Sequence, residues 1–328
     1  MTEYIVSVPS FWLISALAFL GFIVLLLSLW FFAVRNRHAI VYYNETETNK
    51  SVVGLCKTMK MYDRVPLWGF NGHIQSIYAS QVRKGPTYEL RRELLDNRHG
   101  GHFAIDWLQA SASPKGIICI IPGIAGHTGN DYIKNFIHYC KLGGYDVVSY
   151  NWPGCGEHTL NFLEMSTLGD STDLSIMLKH IKKQCPDTPL YGVGFSLGAN
   201  LLLRYLGQVK TATPLKSAIA LSAGYCGKSG YYLMQKNSFY SKKLVKKWKD
   251  VVLKSEEIWK DHPSLDATQI KKAETLEDLD AAFSAKILQY ESTVDYYIDH
   301  GSIDWLEHIR IPTLLLNALD DPIIEASL

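Results

Sequence analysis

The stretch Leu190–Gly207, LYGVGFSLGANLLLRYLG, decides the fold. A short apolar run, Leu190–Phe195, leads straight into Ser196, and a helical run from Ala199 to Gly207 follows it. A strand that becomes a helix across one serine, with Gly194 and Gly198 on either side, is the G-x-S-x-G nucleophile-elbow pattern. The turn is so sharp that a Cβ at either glycine would strike neighbouring backbone. Ser196 is thereby pushed out at the N-terminus of the helix. There the amide of Leu197 points at a developing oxyanion and the helix dipole favours negative charge. The five-residue pattern also occurs in chance turns, so the strand before it and the helix after it carry the reading.

Outward from this point, further short apolar runs alternate with helical segments. Gly116–Pro122, Asp146–Tyr150, Ser217–Ser222 and Thr313–Leu316 read as strands covered on both faces, as in a mainly parallel sheet. Between the first two, Ile133, Phe136, Ile137 and Cys140 recur at helical spacing before Gly143 and Gly144 stop the helix. Asp170 or Thr172 caps a second helix that carries Leu174, Leu178 and Ile181. Tyr88–Leu95 and His102–Leu108 flank the turn-rich Asp96–Gly101 and predict an antiparallel hairpin at one edge of the sheet. The fold class is α/β, with a mostly parallel central sheet. Residues 225–310 break the rhythm, being long, polar and lysine-rich, with helical spacing at Leu244, Trp248, Val251 and Val252, and are expected to form a helical cap inserted between two strands. Its basic helix reads either as a solvated face or as a surface that touches lipid.

An oxyanion hole needs a second amide. Ile121–His127 follows the first of these strands, Gly123 lets the chain turn under an acyl carbonyl, and the Ile124 amide is the candidate donor, with a shift of one residue either way open. Asp320 and Asp321 end the strand Thr313–Leu316, which is expected to be buried. Asp321 is favoured as the charge-relay acid, and Asp320 as a turn or capping residue. A histidine base comes after the acid in this chain order. All 11 histidines precede Asp321, and His127 reads as a loop residue. Ending at Ile323–Leu328 before a last strand and helix, the chain is expected to be truncated at its C-terminus.

Phe11–Val34 carries no charge and is long enough to cross a hydrocarbon core of about 30 Å, so a transmembrane anchor is expected over 11–34. A linker follows over 35–51 and the folded α/β domain over 52–328. Arg35 and Arg37 favour a cytosolic domain by the positive-inside rule, whereas the sequons at Asn44 and Asn49 favour a lumenal one. The 328 residues are 47% hydrophobic and 20% charged with a net charge of +1, which excludes disorder and nucleic-acid binding by bulk charge. Six cysteines without CxxC spacing suggest packed thiols, and neither a metal nor a cofactor motif is present.

Asn71–Ala79, Pro122–Gly129, Gly194–Gly207, Leu276–Asp280, Asp295–Tyr297 and the segment from Ile311 onward together resemble the membrane-anchored α/β-hydrolase-domain lipases. The resemblance implies an α/β-hydrolase fold and a lipid-ester substrate, foremost a monoacylglycerol. It implies Ser196 as nucleophile, Asp321 as relay acid, and a single-pass protein whose hydrolase domain faces out. The family's relay histidine has no counterpart in the chain. Two other readings use the same architecture: a non-catalytic module that binds a lipid or steroid in the acyl pocket, and an acyltransferase with the same nucleophile.

Overall fold

The computed structural model describes residues 9–35, 39–56, 69, 71–98, 100–157, 160–163, 169–225, 227 and 239–324. Contacts divide the chain into two units, Met1–Ile77 and Tyr78–Leu328. Residues 57–68 and 70, assigned by sequence to the hydrolase domain, lie outside the described residues.

In the first unit, α1 (Pro9–Arg35) is a single uninterrupted helix. Its segment Trp12–Phe31 has a mean hydropathy of 2.6 and none of it is buried. At 1.5 Å per residue the helix reaches about 40 Å, longer than a bilayer core of about 30 Å. The expected linker is helical from Glu47: α2 (Glu47–Leu55) starts there because the Thr46 hydroxyl accepts from the Asn49 amide at 3.2 Å and Glu47 lies in the positive first turn. A short helix, α3, covers Gly72–Ile77.

The second unit is built on a sheet of seven strands among the described residues. They are β1 (Arg91–Asp96), β2 (His102–Leu108), β3 (Ile117–Ile121), β4 (Asp146–Asn151), β5 (Leu190–Phe195), β6 (Leu215–Leu221) and β7 (Thr313–Leu316). Their spatial order is β1-β2-β4-β3-β5-β6-β7. The β1–β2 and β2–β4 pairs are antiparallel and the remainder parallel. β3 shows why this sequence folds so. Ile117, Cys119 and Ile121 pack into the layer of α5 (Thr172–Gln184) and α6 (Leu197–Val209), while Ile120 packs with Ile133 and Ile137 of α4 (Asp131–Leu142). A strand buried on both faces has no polar alternation, and its residues sort to the two layers by the period of two. From β3 the chain passes through α4 to β4 on one side, then through α5 to β5 on the other. The crevice at the carboxyl ends of β3 and β5 is thus a topological switch point, the place where open α/β sheets bind ligands. The thiols of Cys119, Cys140 and Cys155 are buried, and burial pushes those of Cys140 and Cys155 up to about 12.

Two strands differ from expectation. β1 begins at Arg91 instead of Tyr88, because Tyr88 and Leu90 pack on the α4 layer and the Tyr88 hydroxyl meets His138 Nδ1 at 2.6 Å. The strand expected to be buried near the C-terminus, β7, is the outermost of the seven strands among the described residues. It pairs with β6, and Leu314, Leu315 and Leu316 are 37%, 39% and 48% exposed.

Within 225–310, α7 (Phe239–Lys254) buries Val245, Trp248, Val251 and Val252 and leaves most of its lysines in solvent. The Leu276–Asp280 and Asp295–Tyr297 motifs meet: buried Asp280 accepts from the Ser284 hydroxyl at 2.7 Å and the Tyr297 hydroxyl at 2.5 Å, and burial pushes its carboxyl up to about 6.

A polar network ties the hairpin to the sheet. Arg92 of β1 donates to both oxygens of Asp106 on β2, at 2.7 and 2.9 Å. Asn151 at the end of β4 donates to Asp106 at 3.0 Å and accepts from the amide and hydroxyl of Thr128. Burial raises the Asp106 carboxyl, but the hydrogen bonds and charge of Arg92, with the Asn151 amide, outweigh it and hold the group below the usual carboxylate range. Such a group contributes stability that is present above its unfolded value, near pH 4, and is lost as pH falls through its lower folded value. Arg92→Ala leaves a buried carboxylate uncompensated and is expected to cost about 3 kcal/mol at pH 7, the low end for a broken buried pair because Arg92 keeps 35% of its side chain exposed. Denaturant unfolding in detergent at pH 7 and pH 4 checks this: the gap to the parent protein narrows at the lower pH, where protonation relieves the orphaned Asp106.

Candidate active site

Ser196 stands between β5 and α6 with φ 52° and ψ −117°, half-buried, its amide donating to Leu221 O at 2.8 Å. A side chain in that region costs on the order of 1–3 kcal/mol, and surrounding packing must hold it there. The two glycines supply that packing. A Cβ on Gly194 would lie 2.5 Å from Ala199 Cα, and one on Gly198 would lie 2.3 Å from both Ile121 O and Pro122 O. The start of α6 therefore rests directly on the end of β3, and Gly123 is so close that a Cβ there would come within 3.3 Å of Ser196 Cβ.

The amides of the loop after β3 can be accounted for one by one. Gly123 N–H donates to the Tyr132 hydroxyl at 3.0 Å, and Gly126 N–H to Gly123 O at 2.9 Å. His127, Thr128, Gly129 and Asn130 donate to Asn130 Oδ1, Asn151 Oδ1, His127 Nδ1 and His127 O. Among the described residues this leaves the amides of Ile124 and Ala125 without a partner, and on the other side those of Leu197 and Gly198, the first two residues of α6. Of the one-residue shifts open in the sequence, Gly123 is thereby occupied by Tyr132.

Asp321 lies beyond β7. Ser196 N–H reaches Leu221 O, and Ser222 N–H reaches Leu316 O at 2.8 Å, so the carboxyl ends of β5, β6 and β7 are hydrogen-bonded side by side. Two inter-strand steps put the ends of β5 and β7 roughly 10 Å apart. Asp321 Oδ1 accepts from the Ile323 and Ile324 amides at 2.8 and 3.0 Å, and the residue is half-buried, while Asp320 is exposed. Asp320 lies in the turn that the Asp321 amide closes onto Ala318 O at 3.3 Å, as expected of it, and Asp321 caps the next turn through one carboxylate oxygen. The structure brings Ser196, Leu197 and the Ile124 loop together and places Asp321 on the second strand end along. Among the described residues no histidine is hydrogen-bonded to Ser196 or Asp321.

Two site residues, Tyr132 and Trp152, had no sequence signal of their own. Tyr132 clamps the Gly123 amide, and its ring meets Phe195 edge-on at 5.3 Å. It keeps 37% of its surface exposed, yet its hydroxyl end is deep enough for burial to push it up to about 12. Trp152, just past β4, donates from its indole to Pro122 O at 2.9 Å. His127 is a loop residue as read, but its ring is also structural, accepting from the Gly129 amide at 3.1 Å.

A family model, Hydrolase_4, described as Serine aminopeptidase, S33, matches residues 112–328. Phospholipase ABHD3 from Mus musculus is 27% identical over 276 residues, covering 78% of this chain and 64% of its own length. Monoacylglycerol lipase ABHD2 from Homo sapiens is 27% identical over 309 residues, covering 88% of this chain and 73% of its own. The chain thus spans less than two-thirds of the first of these relatives. Among solved structures, Est1E from Butyrivibrio proteoclasticus with ferulic acid bound shares the fold at a TM-score of 0.50 and 14% identity, over 72% of this chain and 82% of that one.

If the Ser196 backbone is held against its preference, Ser196→Gly unfolds at a higher denaturant concentration than Ser196→Ala. The expected difference is about 1 kcal/mol, the strain relieved less the greater freedom of glycine in the unfolded chain. Paired unfolding curves check the sign, and an alanine variant as stable as the glycine one contradicts it.

Proposed function

Because this chain belongs to the Hydrolase_4 family of α/β hydrolases, we propose that it supplies the nucleophile, oxyanion hole and relay acid of a serine hydrolase acting on lipid esters, foremost monoacylglycerols. The observation that carries this reading is the amide inventory. Around Ser196, in a loop where almost every N–H is engaged, the donors left over include those of Ile124 and Leu197, on the two segments that meet at the serine.

In this reading Ser196 Oγ attacks the ester carbonyl, the C–O bond to the glycerol breaks, and an acyl-serine remains for water to hydrolyse. The carbonyl oxygen, charged in the tetrahedral intermediate, accepts from the Ile124 and Leu197 amides, with the dipole of α6 adding to the field. The serine proton passes to an imidazole and then to the leaving alkoxide. Asp321 orients that imidazole with the oxygen its turn does not use. In the chain order of this fold the histidine follows the acid, and all 11 histidines of the 328 residues precede Asp321.

A second reading of the same architecture is a module that binds a lipid without turning it over. Fluorophosphonate labelling of the full-length protein in membranes separates the two. The hydrolase reading expects labelling that Ser196→Ala abolishes, and monoacylglycerol hydrolysis that Asp321→Asn lowers about 10³–10⁴-fold in kcat with KM little changed. Labelling that survives Ser196→Ala refutes the nucleophile, and no labelling at all favours the binder.

The anchor bears on the substrate. Acylglycerols partition into bilayers, and a site tethered to one by α1 meets them at high local concentration. We place the hydrolase domain on the extracellular or lumenal side, on the strength of the two sequons. Asn44 is exposed, whereas Asn49 lies inside α2 and donates from its side chain to Asn44 O at 2.9 Å. A glycosidase-sensitive gel shift that Asn44→Gln removes is expected. An unglycosylated domain protected from protease in intact vesicles overturns the orientation.

A further inference from the structure

A cavity of about 770 Å³ opens beside the oxyanion loop, a size that holds a small organic ligand. Ala125 and His127–Asn130 form one wall, Gly154–Glu157 another, and α4 and α7 close the sides. Ser196 is not on its lining, but Ala125 adjoins the Ile124 amide, so the cavity borders the candidate active site.

Its charges are uneven. Arg92 is engaged by Asp106, which leaves Lys134, Lys247 and Lys254 facing Glu157 and Asp250. Among the described residues Lys247 and Lys254 form no ion pair. Lys134 has only a 3.9 Å contact with Asp131, which Lys84 approaches more closely at 3.1 Å. At His127 the positive field prevails: burial first, then Arg92 and Lys247, hold the imidazole below its usual value against the opposing pull of Asp106.

The hydrogen bonding points the same way. His127 Nδ1 accepts from the Gly129 amide, so in the neutral ring the proton sits on Nε2. Asn130 must turn its oxygen to the His127 amide, at 2.9 Å, which aims its NH₂ at that same Nε2, 3.3 Å away. Two donors face each other on the cavity wall, an arrangement that an acceptor between or beside them relieves. Leu90, Ile137 and Val251 are apolar side chains of the cavity lining, the last two from α4 and α7.

We propose that this cavity binds a single-chain amphiphile with an anionic headgroup, a fatty-acid carboxylate or a monoacyl phosphate ester. Its oxygens accept from His127 Nε2–H and the Asn130 amide and pair with Lys247 and Lys254. Its chain lies along Leu90, Ile137 and Val251. The site is separate from the ester position at Ser196 and does not depend on turnover.

The test uses the whole chain carrying Ser196→Ala in neutral detergent, so that no ligand is consumed, with oleate, oleoyl lysophosphatidate and the uncharged 2-oleoylglycerol titrated by calorimetry. At least one anion is expected to bind tenfold or more tighter than the neutral lipid. Lys247→Gln with Lys254→Gln, both exposed positions, is expected to erase that tenfold preference and leave 2-oleoylglycerol binding as it was. Preference for oleate alone assigns the carboxylate as ligand, and preference for lysophosphatidate alone assigns the phosphate. Equal affinity for charged and uncharged lipids, or anion binding that the double variant does not weaken, overturns the proposal.

Discussion

The contact on which the rest of the site depends is the approach of Gly198 to the end of β3. With room for no more than a hydrogen between the first turn of α6 and the carbonyls of Ile121 and Pro122, the helix start and the loop after β3 become one rigid piece. Everything chemical follows from that closeness. It sets Gly123 against Ser196 and leaves the Ile124 and Leu197 amides on adjoining segments. It also fixes Pro122, whose carbonyl accepts the Trp152 indole, so that the loop is held from β4 as well as from β5. A larger residue at position 198 would separate the amides before it affected the serine, because the serine's own position is set by β5 and its bond to Leu221.

Much of this was legible in the sequence for a simple reason. The inner strands β3, β4 and β5 are mostly buried on both faces, and such strands write themselves as largely apolar runs; α4 and α5 pack one face and write a period of 3.6. Gly194 and Gly198 were readable because a close backbone approach leaves few other residues possible. What the sequence hid was longer in range or shared between states. Tyr88 and Leu90 have the alternation of a strand but spend it on α4, and a local pattern does not say which neighbour a side chain will find. β7 has strand propensity, yet propensity carries no information on how far a strand's faces are covered. The Tyr132 clamp on Gly123 joins a helix side chain to a loop amide nine residues earlier, a spacing with no periodic signature. The Arg92–Asp106 pair was recoverable in principle, since the two residues are direct cross-strand partners once the hairpin register is known.

The similarity to known proteins and the geometry inform different levels. The family match covers the part of the chain from just before β3 onward, the part that holds the elbow, the loop and Asp321. It says nothing of the β1–β2 hairpin, and the hairpin supplies Arg92 and Asp106, which through Asn151 and Thr128 brace the far end of the loop after β3. A site defined only by its reacting groups would omit that brace, although the loop's free amides owe their positions to it.

Backbone strain gathers at the same edge. Ala125, Ser196 and Ser222, following the neighbouring strands β3, β5 and β6, all have φ between 50° and 52°, each at a cost on the order of 1–3 kcal/mol. Against a net stability of about 5–15 kcal/mol for a whole domain, three such residues on adjacent strand ends are not tolerable as independent accidents. Each is tied instead to a bond that needs it. Ser196 and Ser222 turn their amides to Leu221 O and Leu316 O, which registers β5, β6 and β7 at their carboxyl ends, and Ala125 lets the loop close from Gly126 N–H onto Gly123 O. The strain is thereby spread over a hydrogen-bonded edge that runs from the loop after β3 to the end of β7, short of Asp321. Relaxing any one of the three loosens the spacing between Ser196 and Asp321, and so the elbow's conformation is a property of the sheet edge as a whole and not of the five residues that announce it.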